Sequence, residues 1–216
     1  MTIPWDSEYE ISENEMSAIC RSIAEFQKGE SSEGIHLISQ ANEYEEQVGD
    51  VGYKASTIAF IKEEQRHARD LAKYMKLRGI PLAKSAWPDT VFRRLRRYSG
   101  IEISTCVLVT AEIIAQVYYP ALRAATKDPV LIALCDQIIA DEDYHVLFQA
   151  ERIVDMRRAD SFLRKLIAKL FQKILFAGTV WVVWIQHYRV FKNSGISMVS
   201  YSRRCWECYG RFSDKI

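Results

Sequence analysis

The chain has 216 residues, 49% of them hydrophobic and 26% charged, with only 9 Gly and 5 Pro. Those proportions exclude a disordered tail, a collagen-like repeat and a disulfide-stapled miniprotein, and suit one domain plus at most a short appendage. Lys and Arg number 29 against 28 Asp and Glu, a formal net charge of +1, so the overall balance makes no case for nucleic acid.

Helical periodicity runs through the sequence. Ile19, Ile23, Phe26, Leu37, Ala41 and Tyr44 fall on one stripe, which predicts a first helix from about 12 to 44. Val48-Gly49-Asp50 reads as a turn, with Asp50 able to cap a second helix that carries Thr57, Phe60, Ile61, Leu71 and Tyr74 on one face. That helix should end at Arg78-Gly79-Ile80-Pro81, where Gly can take a left-handed C′ position and Pro forbids continuation.

Residues 82–90 form a connector to a third helix at about 91–126, whose periodic positions include Leu95, Ile101, Leu108, Glu112 and Tyr119. Pro120 lies inside it and should kink or weaken it. Lys127-Asp128-Pro129 is a compact turn, and a fourth helix follows to about Arg158 through Leu134, Ile138, Phe148 and Ile153. A fifth, at 162–192, is amphipathic at first and then apolar nearly all round; a sixth segment, around 198–212, is aromatic and basic. No stretch sustains period-2 alternation. The fold class is all-α, with a four-helix bundle at 12–158 and a C-terminal helical extension at 159–216, packed on the bundle or at an oligomer interface.

Charge is distributed unevenly. Residues 1–50 hold 12 acids and 2 bases, whereas residues 157–216 hold 12 bases and 3 acids. Either the two ends lie near each other, or the extension offers a basic surface to an acidic partner or an anionic membrane. The five Cys are scattered, and MTIPWDSEYE has neither a basic nor an apolar signal region, so a reducing cytoplasm is expected. The longest uncharged apolar run, Ile174 to Ile185, is too short to span a bilayer as a helix.

The chemistry is carried by Glu and His at helical spacing. Two of the four histidines follow a glutamate by three residues, in Glu64-Gln-Arg-His67 and Glu142-Asp-Tyr-His145. On a helix each pair offers a carboxylate and an imidazole to one point. The pairs stand 78 residues apart, each Glu follows another acid (Glu63 or Asp141), and each lies about 14 residues into its helix. A tandem two-helix repeat results, each half giving Glu-x-x-His from its second helix.

A di-metal carboxylate bundle also needs one Glu from the first helix of each half. Glu112, set in the apolar stretch VLVTAEIIAQVYY, serves the second half, since an unpaired carboxylate buried there would be costly. Glu30 and Glu33 both fall on the apolar stripe of the first half, and repeat symmetry alone prefers Glu33.

Residues 12–158 resemble the ferritin-like di-iron carboxylate superfamily. Gly29-Glu30-Ser31 is similar to the Gly-Glu that carries the first-helix ligand in rubrerythrins and aldehyde-deformylating oxygenases. EEQRHARDL (63–71) and DEDYHVLF (141–148) are similar to the second- and fourth-helix motifs of the oxygenases. The resemblance implies Glu30, Glu64, His67, Glu112, Glu142 and His145 as the ligand set, with Glu33 a neighbour or substitute. Two Fe ions, or Mn, suit this oxygen- and nitrogen-donor set.

Cys205-Trp-Glu-Cys208 is a single pair, too few for the tetrathiolate site of a rubrerythrin. Gln116, one turn from Glu112, is expected to support it, and Tyr119 to pack or line a channel. Tyr144 should point sideways, His36 lie on the surface, and His187 sit at a helix end. The implied function is an oxidoreductase that reacts with O₂ or peroxide, supplied by an external reductant and acting on a small-molecule substrate. The alternative is an iron-handling ferroxidase without an organic substrate. The fifth helix should cover the bundle, form a homo-oligomer surface or touch a membrane peripherally.

Overall fold

A computed structural model describes residues 2–31, 34–83 and 100–216. Among them no strand occurs. The elements are α1 (Glu13–Glu30), α2 (Ile35–Val48), α3 (Tyr53–Leu77), α4 (Ile101–Ala124), α5 (Pro129–Met156), α6 (Phe162–Asn193) and α7 (Met198–Ser213). The chain divides into two compact units: a smaller one, Ile23–Ser104, and a larger one, Met1–Ser22 with Thr105–Ile216. The division runs through α1 and α4.

In the smaller unit the single helix expected over 12–44 is instead α1 followed by α2. Gly34 is the N-cap of α2 at φ 69° and ψ 0°, a left-handed conformation that favours glycine. A Cβ at this position would stand 2.5 Å from Ile61 Cδ1 and 2.7 Å from Ile61 Cγ2. Conformation and close approach both demand glycine here. Gly34→Ala should therefore cost about 1–3 kcal/mol, read as a lower chemical-denaturation midpoint. An unchanged midpoint would remove Gly34 as the determinant of the break.

The N-cap position of α3 belongs to Gly52 rather than Asp50. Glu45 on α2 caps the helix, its Oε2 accepting from Gly52 N at 3.2 Å and Lys54 N at 2.8 Å. The face predicted for the second helix is the one buried: Thr57, Phe60, Ile61, Leu71 and Tyr74 all lie in the core. Each large apolar side chain there contributes about 1.5–3 kcal/mol. Beyond Leu77, Gly79 takes φ 68° and Ile80 N donates to Met75 O at 2.8 Å, closing the helix as expected. Gln27 Nε2 donates to Ala68 O at 3.3 Å, tying α1 to α3.

In the larger unit, Asp128 caps α5 by accepting from Val130 N at 3.0 Å, with Pro129 opening the helix. α4 continues through Pro120 to Ala124. Its predicted start, residues 91–99 including Leu95, lies outside the described residues, as does most of the connector. α6 joins α4 through Gln172, whose amide donates to Cys106 O at 3.0 Å and Thr110 Oγ1 at 2.9 Å. α7 packs against α5 and α6.

The acidic N-terminus meets this unit through Glu15, which accepts from Tyr9 OH, Thr126 Oγ1 and Lys127 N. Arg189 Nη1 donates to Ser17 Oγ at 3.3 Å, so the two ends of the chain do meet, here through a hydroxyl.

α6 is longer than the uncharged run 174–185 within it. Its apolar stretch extends past the uncharged run, and both α4 and α6 are long and apolar enough to cross a membrane by length and composition. In α4 67% of the most apolar stretch is buried in the protein; in α6 only 28% is.

Candidate metal centre

The smaller unit assembles Glu30, Glu64 and His67. Glu30 is the last residue of α1, and Glu64 and His67 lie one turn apart on α3. His67 Nδ1 stands 3.9 Å from Glu30 Oε2 and 3.6 Å from Glu64 Oε1. His67 itself is only 1% exposed. Its other ring nitrogen, Nε2, lies 3.4 Å from Arg66 Nη2. Glu33, the competing first-helix candidate, lies outside the described residues.

The larger unit repeats the arrangement with Glu112 from α4 and Glu142 and His145 from α5. His145 Nδ1 stands 3.9 Å from Glu112 Oε2 and 4.0 Å from Glu142 Oε2, and all three residues are buried. In each trio the three donor atoms lie within 4.8 Å of one another.

These separations exceed those of direct hydrogen bonds. They match donors converging on one ion, because ligands held at about 2.1 Å from a shared cation stand about 3–4 Å apart. The electrostatics agree. Two carboxylates side by side in a core repel each other, and a divalent cation offsets that repulsion along with their lost hydration. The donor set, two carboxylates and one imidazole with no thiolate, fits iron or manganese.

Other expectations fare unevenly. Gln116 donates to Asp143 Oδ1 at 2.7 Å, so it braces α4 against α5 at the residue next to Glu142. Tyr119 is buried, and Tyr144 points outward at 73% exposure. His36 is exposed, as expected.

His187 sits where two helical stretches of α6 meet rather than at the C-terminal end of α6. It lies inside α6 at a kink, with φ −112° and ψ 15°. There it is buried: Nδ1 bonds Ser22 Oγ at 2.8 Å, and Ser22 Oγ bonds Tyr118 OH at 2.7 Å. Burial, with the nearby Arg21 charge adding to it, pushes the imidazole down to about 3, so it is neutral at pH 7. Cys205 and Cys208 are free and buried in α7. Burial pushes the Cys205 thiol up to about 12 and raises Cys208, so both hold their protons.

Gln149 was missed in the sequence. It lies on α5 one turn beyond His145, on the helix face that carries the ligands, and is 1% exposed. Neither amide atom has a hydrogen-bond partner among the described residues. Its spacing, seven residues after Glu142 and four after His145, was the available signal. A surface cleft beside α5, lined by Leu147, Glu151, Val154, Asp155 and Lys215, takes its α5 residues mainly from the opposite side of that helix and is separate from the trio. In comparisons with protein-family models, curated proteins and solved structures, none matched the chain.

Proposed function

We propose that this chain is a ferritin-like di-metal carboxylate protein that binds two iron ions, or manganese, and works as an oxidoreductase on O₂ or peroxide. The observation that carries the reading is the duplicated trio, each with an imidazole Nδ1 at 3.6–4.0 Å from two carboxylates.

Glu30, Glu64 and His67 would hold one metal, and Glu112, Glu142 and His145 the other. Bound iron would supply the redox change and affinity for O₂ that no side chain here possesses. The protein's own part is to place two carboxylates at each site, present each histidine through Nδ1 and exclude bulk water. Binding requires each donor to be free of its proton, so affinity falls as pH drops through the range where carboxylates and imidazoles titrate. Gln149 offers a buried amide to a ligand or water on the side of α5 that carries Glu142 and His145. Electrons would come from an external reductant, since Cys205 and Cys208 are buried thiols with their protons held.

The reading is tested by loading the whole chain with ferrous iron without oxygen, then admitting O₂ while following oxygen uptake and near-ultraviolet absorbance. Oxygen uptake faster than that of free iron in the same buffer, ending at about two irons per chain, is expected. Uptake no faster than free iron would reject the reading. Iron oxidation that continues well past two ions per chain would replace the oxidoreductase with an iron-handling protein.

A further inference from the structure

We infer that α6 docks the protein on an anionic membrane surface, lying flat in the interface rather than crossing it. Leu163, Leu166, Leu170, Ile174, Trp181 and Ile185 are all more than half exposed. At helical spacing they form one stripe roughly 33 Å long. An apolar surface of this extent on a soluble protein marks an interaction site.

The borders of the stripe name the partner. Lys169 and Lys173 flank it on one side, and Arg164 on the other, all of them exposed. α6 carries six cations and no carboxylate. Long basic side chains beside an apolar stripe can reach up to phosphates while the leucines enter the acyl boundary, and an indole such as Trp181 is suited to that depth. Anionic headgroups complement this charge. A second copy placed face to face would set cations against cations.

The opposite face explains why α6 lies flat. Gln172, Phe176, Val183 and His187 are buried on that side, and Gln172 and His187 hydrogen-bond to Thr110 and Ser22 within the larger unit. A helix committed to the protein along one side, through polar groups, is not free to be surrounded by lipid.

Flotation of the full chain with vesicles tests the inference. Vesicles of phosphatidylcholine with about 30% phosphatidylglycerol should carry the protein, and pure phosphatidylcholine should bind it at least tenfold more weakly. Lys169→Gln with Lys173→Gln should weaken anionic-vesicle binding about 25-fold, from roughly fivefold per cation near the surface. Leu166→Ser with Leu170→Ser should abolish flotation while leaving the circular-dichroism melt unchanged, because both side chains are already exposed. Equal flotation of the leucine variant and the unaltered chain would overturn the inference. So would a lipid-free dimer, seen by sedimentation, that the leucine variant dissociates, since a second copy would then occupy the face.

Discussion

Saturating the metal-free chain with ferrous iron under argon should raise its unfolding temperature steeply, and His145→Ala should remove about half of that gain. A ligand at a thousandfold its dissociation constant that binds only the folded state stabilises it by about 4 kcal/mol per site. For a chain of this size that is about 8–16 °C per site. The effect is large because the metal-free fold must tolerate paired carboxylates at each buried imidazole, Glu30 with Glu64 and Glu112 with Glu142. Glu112→Ala should behave like His145→Ala, and Glu64→Ala should remove about half of the gain through the other site. Calorimetry with and without metal reads all three. A metal-independent melt, or variants that melt lower without losing the metal-dependent gain, would mean that the trios are packing features.

The second large effect is on acid stability, and its source is His187. Its imidazole titrates at about 3 in the fold against 6.5 as its ordinary value, with burial as the main cause. The unfolded chain therefore binds the proton first. Above about pH 6.5 this histidine is neutral in both states and has no effect. As pH falls from 6.5 towards 3 the unfolded state gains a proton that the fold refuses, so stability is lost. By pH 4 the loss is about 3 kcal/mol from this group alone. His187→Gln should flatten the pH dependence of the denaturation midpoint between pH 6.5 and 4, even if it lowers stability at pH 7 by breaking the bond to Ser22. An identical slope in the variant would show that acid sensitivity resides elsewhere.

The two Glu-x-x-His pairs were legible because their information is local, whereas Glu30 came from the family resemblance and against the repeat symmetry that preferred Glu33. Glu-x-x-His puts two donors on one helix face, and the same spacing recurs 78 residues on. Apolar periodicity likewise placed α3 and α5, whose faces follow from residues a few positions apart. What was not legible depends on distant partners. The start of α2 is fixed by Gly34 held close against Ile61, 27 residues on, while the apolar stripe continues in phase across the break and disguises it. α3 takes its cap from Glu45 of the preceding helix rather than from the adjacent Asp50.

His187 finds Ser22 at a separation of 165 residues, which no spacing within α6 reveals. That helix is also apolar on more than one side, so periodicity alone could not decide which side the core takes. The core took the side of Gln172 and His187, which left the leucine stripe exposed.

The most direct test of the central claim is the metal content of the full chain after anaerobic ferrous loading and removal of excess iron, measured by elemental analysis. The duplicated trios predict about two irons per unaltered chain and about one in Glu112→Ala or His145→Ala. Less than about half an iron in the unaltered chain, or unchanged content in both variants, would contradict the assignment of these residues as ligands.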